Sequence, residues 1–172
     1  MRTLLLALSL AAVIGLIGVA ALAASRYNDV SSLAGLEAAT RVTVSGEIVN
    51  LGSGDMIMYY DGEVFEVDAR GYYAIARNPE SGRSYVVFLL RGNDGFTIAA
   101  LYPAEAFIAR YGSNPIFEQT VVVDGIFKPS VKIVLGEPGS GGFEKLYEVP
   151  VLEVNAILKG CHASYSQVQA TA

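Results

Sequence analysis

Residues 96–127 read FTIAALYPAEAFIARYGSNPIFEQTVVVDGIF, and the order of elements within this stretch decides the fold. Phe96–Tyr102 and Thr120–Phe127 are apolar runs of strand length, rich in aromatic and β-branched residues. Between them lies the one convincing soluble helix of the chain. Pro103 sits at its first position, Glu105 in its first turn, Arg110 in its last, and Gly112 just beyond. Ala104, Phe107, Ile108 and Tyr111 form its apolar face.

Outward from there the pattern is strand and turn. Ser84–Leu90 joins Phe96–Tyr102 through Gly92-Asn93-Asp94-Gly95, a hairpin signal. Arg41–Leu51 alternates with a period of two, and Met56–Tyr60 and Glu63–Asp68 flank Asp61-Gly62, a strong signal for a tight hairpin turn. Gly71–Arg77 is a further aromatic strand candidate, closed by turn residues 78–82. Downstream, Val131–Leu135 reads as a strand, Gly136–Gly142 as a loop, and Leu146–Leu158 as a long final strand. One helix after the third core strand and before the fourth suits an all-β chain of the OB-fold type, a five-stranded Greek-key barrel with one short helix. Its strands are expected at Arg41–Leu51, Ser84–Leu90, Phe96–Tyr102, Thr120–Phe127 and Leu146–Leu158. The domain then covers 41–158, with an insertion at about 52–82 on its first long loop.

The beginning of the chain has a different chemistry. Positions 4–24 (LLLALSLAAVIGLIGVAALAA) carry no charge and one polar side chain, Ser9. As a helix this run spans about 31 Å, close to the thickness of a bilayer core. Residues 1–25 are therefore expected to be a transmembrane signal anchor, longer than the usual apolar region of a cleaved signal. A cleavage-like Ala23-Ala24-Ser25 keeps the second reading open. Residues 26–40 read as a linker. Either way the remainder works outside the cytoplasm, and an uncleaved anchor makes this a single-pass protein of the cell membrane with its soluble domain on the extracytoplasmic face.

Charge and residue inventory then exclude several functions. Without Arg2 and Arg26, which flank the apolar run, ten basic residues face seventeen acidic ones, a net of −7. Such a domain is a poor partner for nucleic acid, whose affinity rests on Lys and Arg. One His and one Cys cannot supply a tetrahedral zinc site, and no nucleophile-elbow or phosphate-loop sequence occurs. No catalytic residue and no enzyme activity are expected. One Cys also precludes an intramolecular disulfide. The aromatic residues Tyr72, Tyr73, Phe88, Tyr102 and Phe107 read as core at strand and helix spacing, with an apolar platform for a porphyrin as their other use.

One cluster stands apart. Lys159-Gly160-Cys161-His162-Ala163-Ser164-Tyr165 places the only Cys, the only His and a Tyr within five residues, directly after the last strand. In extended chain, Cys161 and His162 face opposite ways. The stretch from Glu153 to Tyr165 resembles the end of the CcmE haem chaperones of cytochrome c maturation, whose last barrel strand leads into an HxxxY or, in a variant subgroup, a CxxxY motif. The arrangement of anchor, barrel and polar tail (159–172, expected to be flexible and to carry the haem-binding motif) is similar too.

That resemblance implies a function. The chain would be a haem chaperone that binds haem b covalently but transiently and delivers it to apocytochrome c, working with a haem-loading ABC-type membrane complex and a haem lyase. Cys161 would bond the haem and Tyr165 would ligate its iron as the axial ligand. His162, standing where the variant subgroup commonly has Pro, is the alternative tether or a second ligand. Gly160 departs from the family's Ala or Lys at this junction. The competing expectation is an exported, membrane-anchored OB-fold module that binds a protein or glycan and has no haem role.

Overall fold

The computed structural model describes residues 27–139 and 141–164. The expected anchor at 1–25 and Tyr165 lie outside the described residues. The order is β1 (Asn28–Asp29), a 3-10 turn (Val30–Leu33), β2 (Thr40–Ile48), β3 (Ser53–Tyr60), β4 (Glu63–Arg70), β5 (Ala74–Arg77), β6 (Ser84–Arg91), β7 (Thr97–Pro103), α1 (Ala104–Tyr111), β8 (Ile116–Gly139) and β9 (Gly142–His162). The described chain is thus an all-β fold with one short α-helix. Among the described residues no helix is long and apolar enough to cross a membrane.

Five strands pair in a closed ring. β2 is antiparallel to β6, β6 to β7, β8 to β9 and β2 to β8, while β7 and β9 run parallel. These are the five segments expected to form the barrel. The chain between them adds a second lobe: β3, β4 and β5 link β8 back to β6. Each lobe has its own core. Val86, Phe88, Leu90, Ile98, Ala100 and Tyr102 point into the ring. Val87, Leu89, Ala99 and Leu101 point into the second lobe. The β6–β7 hairpin is therefore a wall buried on both faces, which is why its sequence is continuously apolar instead of alternating.

The Asp61-Gly62 turn forms as its residues require. Both adopt positive φ, 54° and 76°, as a two-residue hairpin turn with the right-handed strand twist demands. Several boundaries differ from the sequence reading. β3 begins at Ser53, three residues before the expected Met56, because its ladder with β4 extends to Ser53↔Arg70. β5 begins only at Ala74, after Gly71 turns the chain at φ 78°. Thr120–Phe127 and Val131–Leu135 are parts of the single strand β8, with a register shift between Lys128 and Lys132 around Pro129, which has no N–H for the ladder. The expected Gly136–Gly142 loop is mostly ladder, closing at Gly139↔Gly142. In α1, Ala104, Phe107 and Tyr111 are buried, but Ile108 is 41% exposed and does not belong to the core face.

The expected linker at 26–40 is corrected most. Val30 and Leu33 are buried in the ring core. β1 pairs in parallel with β2, Asp29 beside Ser45. Asp29 Oδ1 accepts the N–H groups of Ser31 (2.8 Å) and Asn93 (3.1 Å), and the Ser31 hydroxyl donates to Asp94 Oδ1 (2.6 Å). A Cβ on Gly92 would strike Ser31 and Asp29, so the β6–β7 loop needs glycine there. Partial burial works against the Asp29 anion, but the bonds from Ser31 and Asn93 outweigh it and hold the carboxyl below its ordinary 3.8. A lowered carboxylate stabilises the fold above its ordinary value and loses that contribution as pH falls through the lowered one. Asp29→Ala, which also removes the cap of the 3-10 turn, is expected to cost about 1 kcal/mol at pH 7 and to flatten the stability difference between pH 5 and pH 3. Urea melts at these pH values check it; an unchanged acid profile would remove Asp29 from the account.

Candidate functional site

The last turn of the ring places the Cys-His pair. β9 does not end at Leu158 as expected; it runs to His162, so residues 159–162 belong to the sheet and not to a tail. The extension exists because β8 supplies partners as far as its first residues, Phe117↔Cys161 and Ile116↔His162. Between Phe117↔Cys161 and Val122↔Lys159 the register shifts, leaving Gly160 opposite several β8 residues. Gly160 takes φ 85°, and a Cβ there would collide with the Thr120 carbonyl oxygen. Its role is a bulge that presses β9 onto β8.

Alternation then sends the two side chains apart. Cys161 is 8% exposed and belongs to the ring core with Phe107, Tyr111 and Ile157. Burial alone pushes its thiol up to about 12. Tyr111 of α1 closes this corner, its hydroxyl donating to the Ile157 carbonyl at 3.1 Å. His162 faces out. Its Nε2 lies 2.6 Å from Glu118 Oε1, with 57% of the His and 48% of the Glu side chain exposed. Glu118 reaches it from the strand beside, one residue past Phe117. This pairing joins groups 44 residues apart, and no local sequence pattern announces it.

Beside the pair lies a shallow cleft of about 270 Å³ lined by Glu47, Ile48, Tyr72, Phe117, Glu118 and Gln119. Of the five aromatics noted in the sequence, Tyr73, Phe88, Tyr102 and Phe107 are core. Only Tyr72, 46% exposed, offers a face to solvent. Phe117, not anticipated, connects the cleft to the interior: its ring stacks near Phe107 (6.3 Å) and lies 5.4 Å from Phe88 and 5.9 Å from Tyr73. Ile116, opposite His162, is 51% exposed. The site therefore combines one accessible imidazole, one carboxylate that orients it, and a partly aromatic surface.

No family model, curated protein or solved structure matches this chain. The site must be read from its own chemistry.

Among the described residues no group of three metal-ligating side chains converges, and no buried side-chain polar atom lacks a partner. A second polar cluster ties the lobes together: the Tyr60 hydroxyl donates to Glu153 Oε1 at 3.0 Å, and Lys128 Nζ approaches the same oxygen at 2.6 Å. Partial burial, followed by the Glu153 contact, raises the Tyr60 phenol well above its ordinary value. A phenol held this firmly in its protonated form is a structural donor, and the cluster acts as a brace.

Proposed function

We propose that this chain is an extracytoplasmic haem carrier of the CcmE type, with the five-stranded ring as an OB-fold and residues 1–25 as its anchor. The order β2–β6–β7–β9–β8, with one parallel pair and α1 between the third and fourth ring strands, supports the OB-fold reading. One observation carries the functional reading: the only His and only Cys of the chain lie side by side where the last ring strand ends, three residues before Tyr165, and His162 is presented to solvent beside an aromatic cleft. The cleft is below the roughly 300–1,000 Å³ of pockets that enclose a small molecule. It seats one edge of a macrocycle and leaves the rest outside, which suits a cargo that must be handed on.

The chain's own groups divide the work. A tether forms when an S–H or N–H adds across a haem vinyl group: the new S–C or N–C bond replaces the vinyl π bond, and the proton goes to the neighbouring vinyl carbon, with no outside oxidant. The accessible imidazole of His162 reaches such an edge without rearrangement, and Glu118 fixes which ring nitrogen faces outward. Cys161 reaches it only if the end of β9 lifts from β8. Tyr165 is the iron ligand in this reading, and apocytochrome c, an ABC-type loading complex and a haem lyase are the partners.

The test uses the full chain in membranes supplied with haem, denatured and digested before mass spectrometry. One haem mass is expected on the peptide containing Cys161 and His162. Loss in His162→Ala with retention in Cys161→Ala assigns the tether to His162, and the reverse assigns Cys161. Tyr165→Phe is expected to keep the adduct and change the visible spectrum. Absence of any adduct in the presence of the loading partners would sink the carrier reading. The buried Cys161 thiol favours one other reading, an OB-fold module that binds a protein or glycan and uses Cys161 only for packing.

A further inference from the structure

We propose that the domain lies with one particular end on the bilayer surface, the end formed by the Val30–Leu33 turn and the Gly92–Gly95 loop, and that it holds Cys161 and His162 at the opposite end, facing away from the membrane. This rests on the reading of residues 4–24 as an uncleaved anchor. What it adds comes from the way the chain joins the barrel.

The uncharged run ends at Ala24 and β1 begins at Asn28. Three residues intervene, Ser25 to Tyr27, and at most about 3.5 Å each they give roughly 11 Å of reach. Beyond them there is no slack. β1 is hydrogen-bonded to β2, Val30 and Leu33 are 0% and 2% exposed, and Asp29 and Ser31 are bonded to the Gly92–Gly95 loop. A barrel joined this way cannot turn over on a long tether.

The direction is fixed by β1. It runs parallel to β2, with Asn28 beside Val44 and Asp29 beside Ser45. Residue 27 therefore lies toward the Thr40 end of β2; the 3-10 turn starts with Val30 against Gly46, and Leu33 and Leu36 then line a cleft with Phe127, the partner of Thr40. Tyr27, 42% exposed, sits at this junction, and an amphipathic aromatic ring is at home at headgroup level. A cleft of about 590 Å³ with Leu36, Phe96, Phe127 and Lys132 in its lining lies at the same end.

The Cys-His pair is at the other end. Ser45 pairs with Val122, and from Val122 strand β8 runs on to Ile116, the partner of His162. Those six steps cover about 20 Å at roughly 3.3 Å per residue. The site thus stands a barrel's length from the membrane face, open to soluble partners and out of reach of the lipid headgroups.

The full chain in a Cys161→Ser background, reconstituted in vesicles with nickel-chelating headgroups, tests this. Nitroxide labels go at Asn93→Cys, in the loop that clamps Asp29, and at Asn114→Cys, an exposed position between α1 and β8. The Asn93 label is expected to relax against headgroup nickel at least fivefold more strongly than the Asn114 label. Ten Gly-Ser residues inserted after Arg26 are expected to erase the difference. Equal or reversed relaxation in vesicle-bound protein would overturn the proposed orientation while leaving the anchor intact. Failure of the chain to float with vesicles would overturn the anchor reading itself, and this inference with it.

Discussion

Cys161 in the native chain is expected to react with iodoacetamide at pH 8 at least a thousandfold more slowly than in the same chain unfolded in urea. The nucleophile is the thiolate. Moving the thiol from its ordinary 9.0 to about 12 lowers the thiolate fraction at pH 8 by roughly 10³, and its 8% exposure slows access further. Mass-spectrometric alkylation kinetics read this directly. The same shift has a stability consequence. An acid whose folded value is raised stabilises the fold fully below its ordinary value, and this contribution disappears as pH rises toward the folded one. Cys161→Ala is therefore expected to lessen the loss of stability between pH 9 and pH 11. A native rate within tenfold of the unfolded rate would mean that the end of β9 opens readily and that Cys161 is available as a tether after all. Protection as strong as expected leaves His162 as the group that can reach a vinyl edge with the sheet intact.

The contrast between those neighbouring residues shows what was legible in the sequence and what was not. Alternation alone sends Cys161 and His162 to opposite sides of an extended chain, and β9 does so. That the strand continues this far depends on β8, whose Ile116 and Phe117 supply the partners. The sequence places both residues before the expected start of that strand, so Lys159–His162 read as tail. Glu118 was invisible for the same reason: register between distant strands, not spacing, brings it to His162. The ring strands were readable because each carries an apolar run of strand length bounded by turn residues. The second lobe read as an insertion because its own strands are short, while the parts of β8 and β9 that complete it are continuations of ring strands. Residues 26–40 misled because Val30, Leu33 and Leu36 are too few and too scattered to show a period. Their burial follows from the hydrogen bonds that Asp29 and Ser31 make with a loop more than 60 residues away.

Leu89→Ala is expected to destabilise both lobes together, by about 2–5 kcal/mol. Leu89 is 0% exposed and packs in the core of the second lobe. Its neighbour Phe88, equally buried, packs in the core of the ring. The strand between them cannot leave one core without leaving the other, since β6 holds β5 on one edge and β7 on the other. Two cores that share a wall should then unfold as one cooperative unit. Two independent probes decide it. The chain has no Trp but ten Tyr, of which Tyr60 and Tyr85 pack in the second lobe, so near-ultraviolet tyrosine dichroism includes that lobe, while alkylation of Cys161 follows the ring. In the parent chain the two urea transitions are expected to coincide. In Leu89→Ala both should move to lower urea by the same amount, with unchanged slope. If the tyrosine signal moved and Cys161 kept its protection, the ring would be an independent domain and the second lobe an appendage. Coincident movement would instead make the 52–82 segment part of the structure that keeps Cys161 buried, so that strain on the second lobe would be felt at the site some distance away.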